Sequence, residues 1–356
     1  MHVTMKHLQF SLIWFDSLGA KSTCTLVETP DTKILIDPGA AIMQPGFPAS
    51  MEKKIYWLEK ARRAIKKASK KAEIIIISHY HYDHFTDFNK TIYDGKLVLA
   101  KNPNEYINDS QRERAENFYN NICKAFGRTK LEDLLEERKE EKEYPDPLEE
   151  LPLAMSMDYG DYNPRKRELL KKGEKWFRAR VKKWNGYKEI PELKFENCQV
   201  KFADGKEFRF GETIIKFTKP LFHGIEFARV GWVISTVISY KDEKIIHTSD
   251  LQGPTIEDYA EWIVKEDPNI LILDGPSTYL IPYMLNLINL KRTIKNAIKI
   301  IEETKKLQLI IYDHHLLREP KYRERVSQVY EKARGKGKNI LAAAEYLGKK
   351  PVVLQH

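Results

Sequence analysis

Cysteine is scarce in this chain: three residues in 356, Cys24, Cys123 and Cys198, far apart and odd in number. No C-x-x-C pair occurs, so neither a disulfide framework nor a thiolate zinc site is suggested. Long apolar runs are missing too, and no stretch would span a bilayer. The first apolar piece, residues 8–15, is short and lacks a small-residue cleavage site, which reads as a strand and not a signal peptide. That leaves the cytoplasm as the default compartment, with no membrane partner. Glutamine is sparse beside abundant Lys and Glu, a bias that thermophile surfaces show. There is no short internal repeat and no low-complexity tail. Gly19-Ala20-Lys21-Ser22-Thr23 lacks both the Gly-Lys pair and the earlier glycine of a phosphate loop, which excludes that motif.

What is present is a chain with 42% hydrophobic residues and a net charge of +9, long enough to bury a large core. The basic balance permits nucleic-acid or phosphate-bearing partners, although a lysine-rich surface alone would produce it. Residues 8–15, 22–28 and 33–36 read as strands, followed by a basic helix over 50–71 with apolar positions Ile55, Leu58, Ala61, Ile65 and Ala68. Residues 74–77 and 96–100 read as further strands. From about 104 to 187 charge dominates, including helical propensity over 131–143, and this region is expected to be a helical insertion or cap within one domain spanning 1–356. Its Trp176, Phe177 and Trp184 either dock the cap or stack bases beside neighbouring cations. Strands return over 194–203, 213–218, 231–240 and 244–247. The last third alternates: helix 256–266, strand 269–274, helix 291–306, strand 307–312, then helices over 321–334 and 339–347. Strands first, then alternating strand and helix, twice over, fit two sheets with helices outside them.

Histidine marks the chemistry. Of ten, three fall in His79-Tyr80-His81-Tyr82-Asp83-His84, directly after an isoleucine run that reads as a buried strand. Neutral imidazole and carboxylate are usual ligands for zinc and similar divalent ions, and ligands adjacent in sequence have little loop-closure entropy to overcome. His223, Asp250 and the pair His314-His315 each stand just beyond a predicted strand. His2, His7, His247 and His356 remain, and His247, inside a strand, reads as structural.

The H-x-H-x-D-H string resembles the signature of the metallo-β-lactamase superfamily, and the order of the later His, Asp and His matches that superfamily throughout. The resemblance implies an α/β (α+β) four-layer αββα sandwich with a two-metal site. His79, His81 and His223 would hold one divalent ion, and Asp83, His84 and a late histidine the other, with Asp250 bridging. His314 suits the register better, leaving His315 to contact substrate or to hydrogen-bond behind the ligands. Asp37, in Asp37-Pro38-Gly39, would order the loops beneath the metals. Zinc is the first expectation for both ions, with Mn2+ or Fe2+ as alternatives. Two ions about 3.5–4 Å apart activate water and clamp the reacting oxygens, and Asp83 is placed to orient that water or take its proton. This implies metal-dependent hydrolysis of an ester-type bond in a phosphodiester, small ester or lactone. Too little chain separates Asp250 from His314 for the extra domain of one nuclease branch. A nuclease acting on RNA or DNA is still the alternative, with a metal-stabilised binding scaffold third; structural zinc needs only a closed tetrahedron. The stretches Asp16-Ser17-Leu18-Gly19, His247 to Pro254, Asp274-Gly275-Pro276 and Asp313 to Arg318 bring the chain closest to an archaeal family of predicted metallo-β-lactamase-fold hydrolases, for which no substrate is established.

Overall fold

A computed structural model of the chain describes residues 5–86 and 88–355; His2 and His356 lie outside them. The first seven strands are β1 (Gln9–Phe15), β2 (Thr23–Glu28), β3 (Lys33–Ile36), β4 (Ile74–Ile77), β5 (Lys96–Ala100), β6 (Leu193–Phe195) and β7 (Cys198–Phe202). They form one sheet in the order β1-β2-β3-β4-β5-β7-β6. After β8 (Glu207–Phe210) and β9 (Thr213–Phe217), β10 (Leu221–Phe222) and β11 (Trp232–Val233) pair as a small ribbon. β12 (Thr236–Tyr240), β13 (Glu243–His247), β14 (Ile270–Asp274), β15 (Leu309–Asp313) and β16 (Asn339–Leu341) complete a second sheet, β16-β15-β14-β13-β12-β9-β8.

The isoleucine runs explain the layers. Side chains alternate across a strand, so a strand apolar at every position must be covered on both faces. In β4, Ile74 and Ile76 enter the core between the sheets, whereas Ile75 and Ile77 enter a core under helices. β14 divides likewise: Ile270 and Ile272 face the first sheet, and Leu271 and Leu273 face away from it. Helices Met51–Ser69, Asp109–Ile122 and Asn163–Asn185 bring Ile65, Phe118 and Trp184 to the first outer core. Helices Glu257–Glu266, Leu287–Glu303 and Ser327–Gly335 bring Ile263, Ile300 and Val329 to the second. The result is the αββα sandwich. Each fully buried isoleucine contributes about 1.5–3 kcal/mol to holding the layers together.

Residues 104–187 lie between β5 and β6, and their aromatic residues pack inward. Trp184 is buried with its indole N–H on Ile107 O at 2.9 Å, and Trp176 stacks on Trp232 with centroids 5.3 Å apart. Within this segment, Leu131–Leu134 forms one 3-10 turn where a longer helix is expected. The expected strand over 231–240 breaks at Ile234 and Ser235, which tie two regions together. Ile234 donates its N–H to Ser78 O at 3.1 Å, and the Ser235 hydroxyl donates to Thr248 O at 2.7 Å. The expected final helix over 339–347 is instead β16 followed by the short helix Ala343–Tyr346, because Asn339–Leu341 pair in parallel with β15. No helix among the described residues is long and apolar enough to cross a membrane.

Candidate metal centre

β3, β4, β5 and β7 run parallel in one sheet, and β13 to β16 in the other. In parallel sheets the loops at the carboxyl ends of the strands form the binding crevice, and every expected site residue stands on such a loop or on the one after β10. Asp37, just past β3, is buried in the left-handed region (φ 48°). Its carboxylate accepts the Ser78 N–H at 2.8 Å and the Ser78 hydroxyl at 2.7 Å, and it lies 2.8 Å from His84 Nδ1. That contact turns His84 Nε2 towards the centre. His81 O accepts the N–H groups of His84 and Phe85 at 2.8 and 3.1 Å, a tight turn that gathers His81, Asp83 and His84. Gly39 lies against this turn, where a Cβ would come within 2.4 Å of Phe85 N. Only glycine permits that approach.

Asp250 is the common point. Its Oδ2 lies 2.7 Å from His223 Nε2, 3.5 Å from His84 Nε2, 3.8 Å from His79 Nε2 and 3.9 Å from His314 Nε2. His79 Nε2 is 3.0 Å from His81 Nδ1, and His84 Nε2 is 3.3 Å from His314 Nε2. Three overlapping donor groups result, each within 4.8 Å: His79, His81, His223 and Asp250; Asp83, His84 and His314; Asp250, Asp274, His314 and His315. His314, also left-handed (φ 50°), turns the chain at the end of β15 so that both late histidines reach the centre. His314 Nδ1 meets Asp16 Oδ1 at 3.0 Å, and His315 Nδ1 lies 2.9 Å from Asp274 Oδ1 and 3.1 Å from Asp250 Oδ1. His247 stays apart, with Nε2 on Thr23 O at 2.9 Å.

Two buried atoms test whether divalent ions suit these donors. Among the described residues His223 Nε2 and Asp250 Oδ1 have no partner in hydrogen-bond geometry, although His223 Nε2 lies 2.7 Å from Asp250 Oδ2 and Asp250 Oδ1 lies 3.1 Å from His315 Nδ1. Leaving a buried polar atom unsatisfied costs about 1–3 kcal/mol, and a cation would satisfy both. Burial pushes the His79 and His315 imidazoles well below their ordinary pKa and the His81 imidazole down to about 3, which keeps them in the neutral form that binds metal. Burial alone would raise Asp250, but the contact with His223 outweighs it and holds the carboxyl well below its usual range. Burial would lower His84, but hydrogen bonds to Asp250 and Asp37 raise it well above its ordinary value, so an ion at this position would have to displace the His84 proton. This mixed nitrogen and oxygen set, with ionised carboxylates at its centre, fits divalent ions.

Sequence reasoning assigned no role to Asp16, Asp274, Gln111 or Ser78. Asp16 and Asp274 are acids directly after a strand, the same signal that marked Asp37 and Asp250. Gln111, from the 104–187 segment, reaches His81 Nε2 with its amide nitrogen at 3.4 Å and donates to Val230 O at 2.9 Å.

The family model described as the metallo-beta-lactamase superfamily matches residues 19–118. A UPF0282 protein of Methanopyrus kandleri is 34% identical over 357 residues, covering 96% of this chain and 94% of its own. Another, from Methanocaldococcus jannaschii, is 31% identical, covering 96% and 91% respectively. Among solved structures, the metallo-beta-lactamase fold protein YhfI from Bacillus subtilis shares 12% identity, covers 95% of this chain and 96% of its own, and gives a TM-score of 0.43.

Proposed function

The chain belongs to the archaeal UPF0282 family of the metallo-β-lactamase superfamily, and from that premise we propose that it is a cytoplasmic hydrolase with two divalent ions. His79, His81 and His223 would hold one ion, Asp83, His84 and His314 the other, and Asp250 would serve both; zinc comes first, with manganese or iron as alternatives. The observation that carries this reading is the convergence of these donors around Asp250, with His223 Nε2 and Asp250 Oδ1 buried and outside hydrogen-bond geometry among the described residues. When bound, such ions supply Lewis acidity that makes water nucleophilic near neutral pH. Asp83 would stay ionised beside that water and orient it by accepting its hydrogen bond. Its carboxyl is held far below the usual range because His84, His314 and Arg318 outweigh the effect of burial. Asp37 and Asp16 fix the rings of His84 and His314 from behind, the arrangement that sets imidazole tautomer and aim. The bond cleaved is of ester type, in a phosphodiester or a small ester or lactone.

Metal analysis together with turnover of an aryl phosphodiester tests the reading. Two ions per chain and metal-dependent turnover, lost in Asp83→Ala, are expected. Two ions without turnover would redirect the search to lactones and thioesters. Protein that takes up no ion would refute the site.

A further inference from the structure

Lys21 is a cation with no directly paired carboxylate among the described residues. Its backbone exchanges hydrogen bonds with Ala41, both at 2.9 Å. The next residue, Ser22, donates its N–H to Asp16 Oδ1 at 2.9 Å and its hydroxyl to Gly39 O at 2.6 Å. This turn is therefore tied to the metal centre twice, through Asp16 behind His314 and through Gly39 against His84. The Lys21 side chain is half-buried, and among the described residues no hydrogen bond or ion pair engages its ammonium. Burial and the nearby Arg318 charge push its pKa down, while Asp83, Asp16 and Asp250 pull it up. Asp16 accepts from Ser22 N–H through one oxygen and from Arg318 Nε through the other, which places the Lys21 turn beside Arg318.

Arg318 is the second cation and is buried. Its Nε donates to Asp16 Oδ2 at 2.5 Å and its Nη1 to the Tyr279 hydroxyl at 3.2 Å. Its Nη2 has only long contacts, 3.5 Å to Asp83 Oδ2 and 3.3 Å to His314 Nε2. Both of those atoms belong to the donor set that the proposed function gives to an ion, so Nη2 keeps donors to spare beside the reacting centre. In charge terms Asp16 answers Arg318, Asp83 and Asp250 face the ions, and Lys21 is left over. Two cations on either side of one carboxylate in a largely buried site leave a surplus positive charge that an anion would offset. Arginine edges and lysine point charges are the usual partners of phosphoryl oxygens.

We propose that Lys21 and the Nη2 edge of Arg318 form an anion subsite that receives a non-bridging phosphoryl oxygen, so that the substrate is a phosphoester and not an uncharged ester or lactone. This rests on the hydrolase reading of the same centre. Calorimetric titration of the metal-loaded protein with inorganic phosphate and, separately, with acetate tests it, using wild type, Lys21→Met and Lys21→Arg, with the metal content of every sample measured. Phosphate should bind in preference to acetate. Losing one charge-assisted contact should weaken phosphate binding about tenfold to a hundredfold in Lys21→Met, and Lys21→Arg should restore it at unchanged metal content. Equal phosphate affinity in wild type and Lys21→Met, or tighter acetate than phosphate, would overturn the subsite. Protein that takes up no ion yet binds phosphate through Lys21 keeps the subsite and fails the hydrolase reading. Protein that takes up two ions and ignores phosphate does the reverse.

Discussion

Arg292 gives the most demanding test of what holds the His223 loop in place. It is buried on helix Leu287–Glu303. Its Nη1 and Nη2 donate to Glu226 at 3.2 and 2.6 Å, and its Nε and Nη2 to Glu257 at 2.9 and 2.7 Å. Lys166, from helix Asn163–Asn185, adds a contact to Glu226 at 3.3 Å. One guanidinium thus joins two helices to the loop that follows His223. Arg292→Met keeps an apolar stem and removes the charge. Breaking a buried pair from one side costs about 3–5 kcal/mol, and because Lys166 still faces Glu226 the expected loss is the lower end, about 3 kcal/mol. The sign with pH follows from Glu226. Burial would raise its pKa, but the Arg292 hydrogen bonds and charge outweigh it and lower it. A depressed acid adds stability above its unfolded pKa of about 4.3 and loses it as pH falls through the folded value. Without Arg292 burial dominates and raises the folded pKa, so the deficit of the variant grows as pH rises. Urea unfolding of both proteins at pH 5 and pH 8 should show the larger deficit at pH 8, with part of it recovered in Arg292→Met/Glu226→Gln. A deficit below about 1 kcal/mol, the range of exposed pairs, or an equal deficit at both pH values, would refute the reasoning.

Asp37→Asn keeps the shape of the side chain but turns an amide NH2 towards a donor, whichever way the amide lies. Metal affinity, measured by chelator competition, should fall about 10–100-fold, as for other residues that orient metal ligands; an unchanged affinity would remove Asp37 from the site. Trp184→Ala, under the first sheet, should cost about 3–5 kcal/mol in urea unfolding, and a much smaller loss would mean that the 104–187 segment folds independently of the sandwich.

The layers were legible in the sequence because runs such as Ile74-Ile75-Ile76-Ile77 demand cover on both faces, and no one-sided sheet provides it. The first donors of the cluster around Asp250 were legible because they are neighbours in sequence, and the later ones because each follows a strand. β16 was not legible. Asn339-Ile340-Leu341 runs into three alanines with high helix propensity, and its strand character comes from pairing with β15, a contact outside any local window. The division of roles between His314 and His315 was hidden for another reason. A left-handed residue at the strand end lets consecutive side chains face one centre, and no periodicity encodes that turn. Asp16 and Asp274 carry the strand-end signal too, but their roles behind the histidines appear only once the fold brings distant elements together. The aromatic residues at 176–184 show the opposite case: the pattern beside cations suited nucleic acid, and burial resolved it as core.

The donors hang from both sheets: Asp37, His79, His81, Asp83 and His84 follow strands of the first, and Asp250, Asp274, His314 and His315 follow strands of the second. An ion held between them is therefore a fastening across the seam of the sandwich. A ligand that binds only the folded chain stabilises it by mass action, by about 2.7 kcal/mol when its free concentration is a hundredfold above Kd. The lifetime of such a protein is then coupled to metal supply. Under scarcity the seam would open more often and proteases would remove the empty chains first, so abundance would follow the supply of any metal bound there.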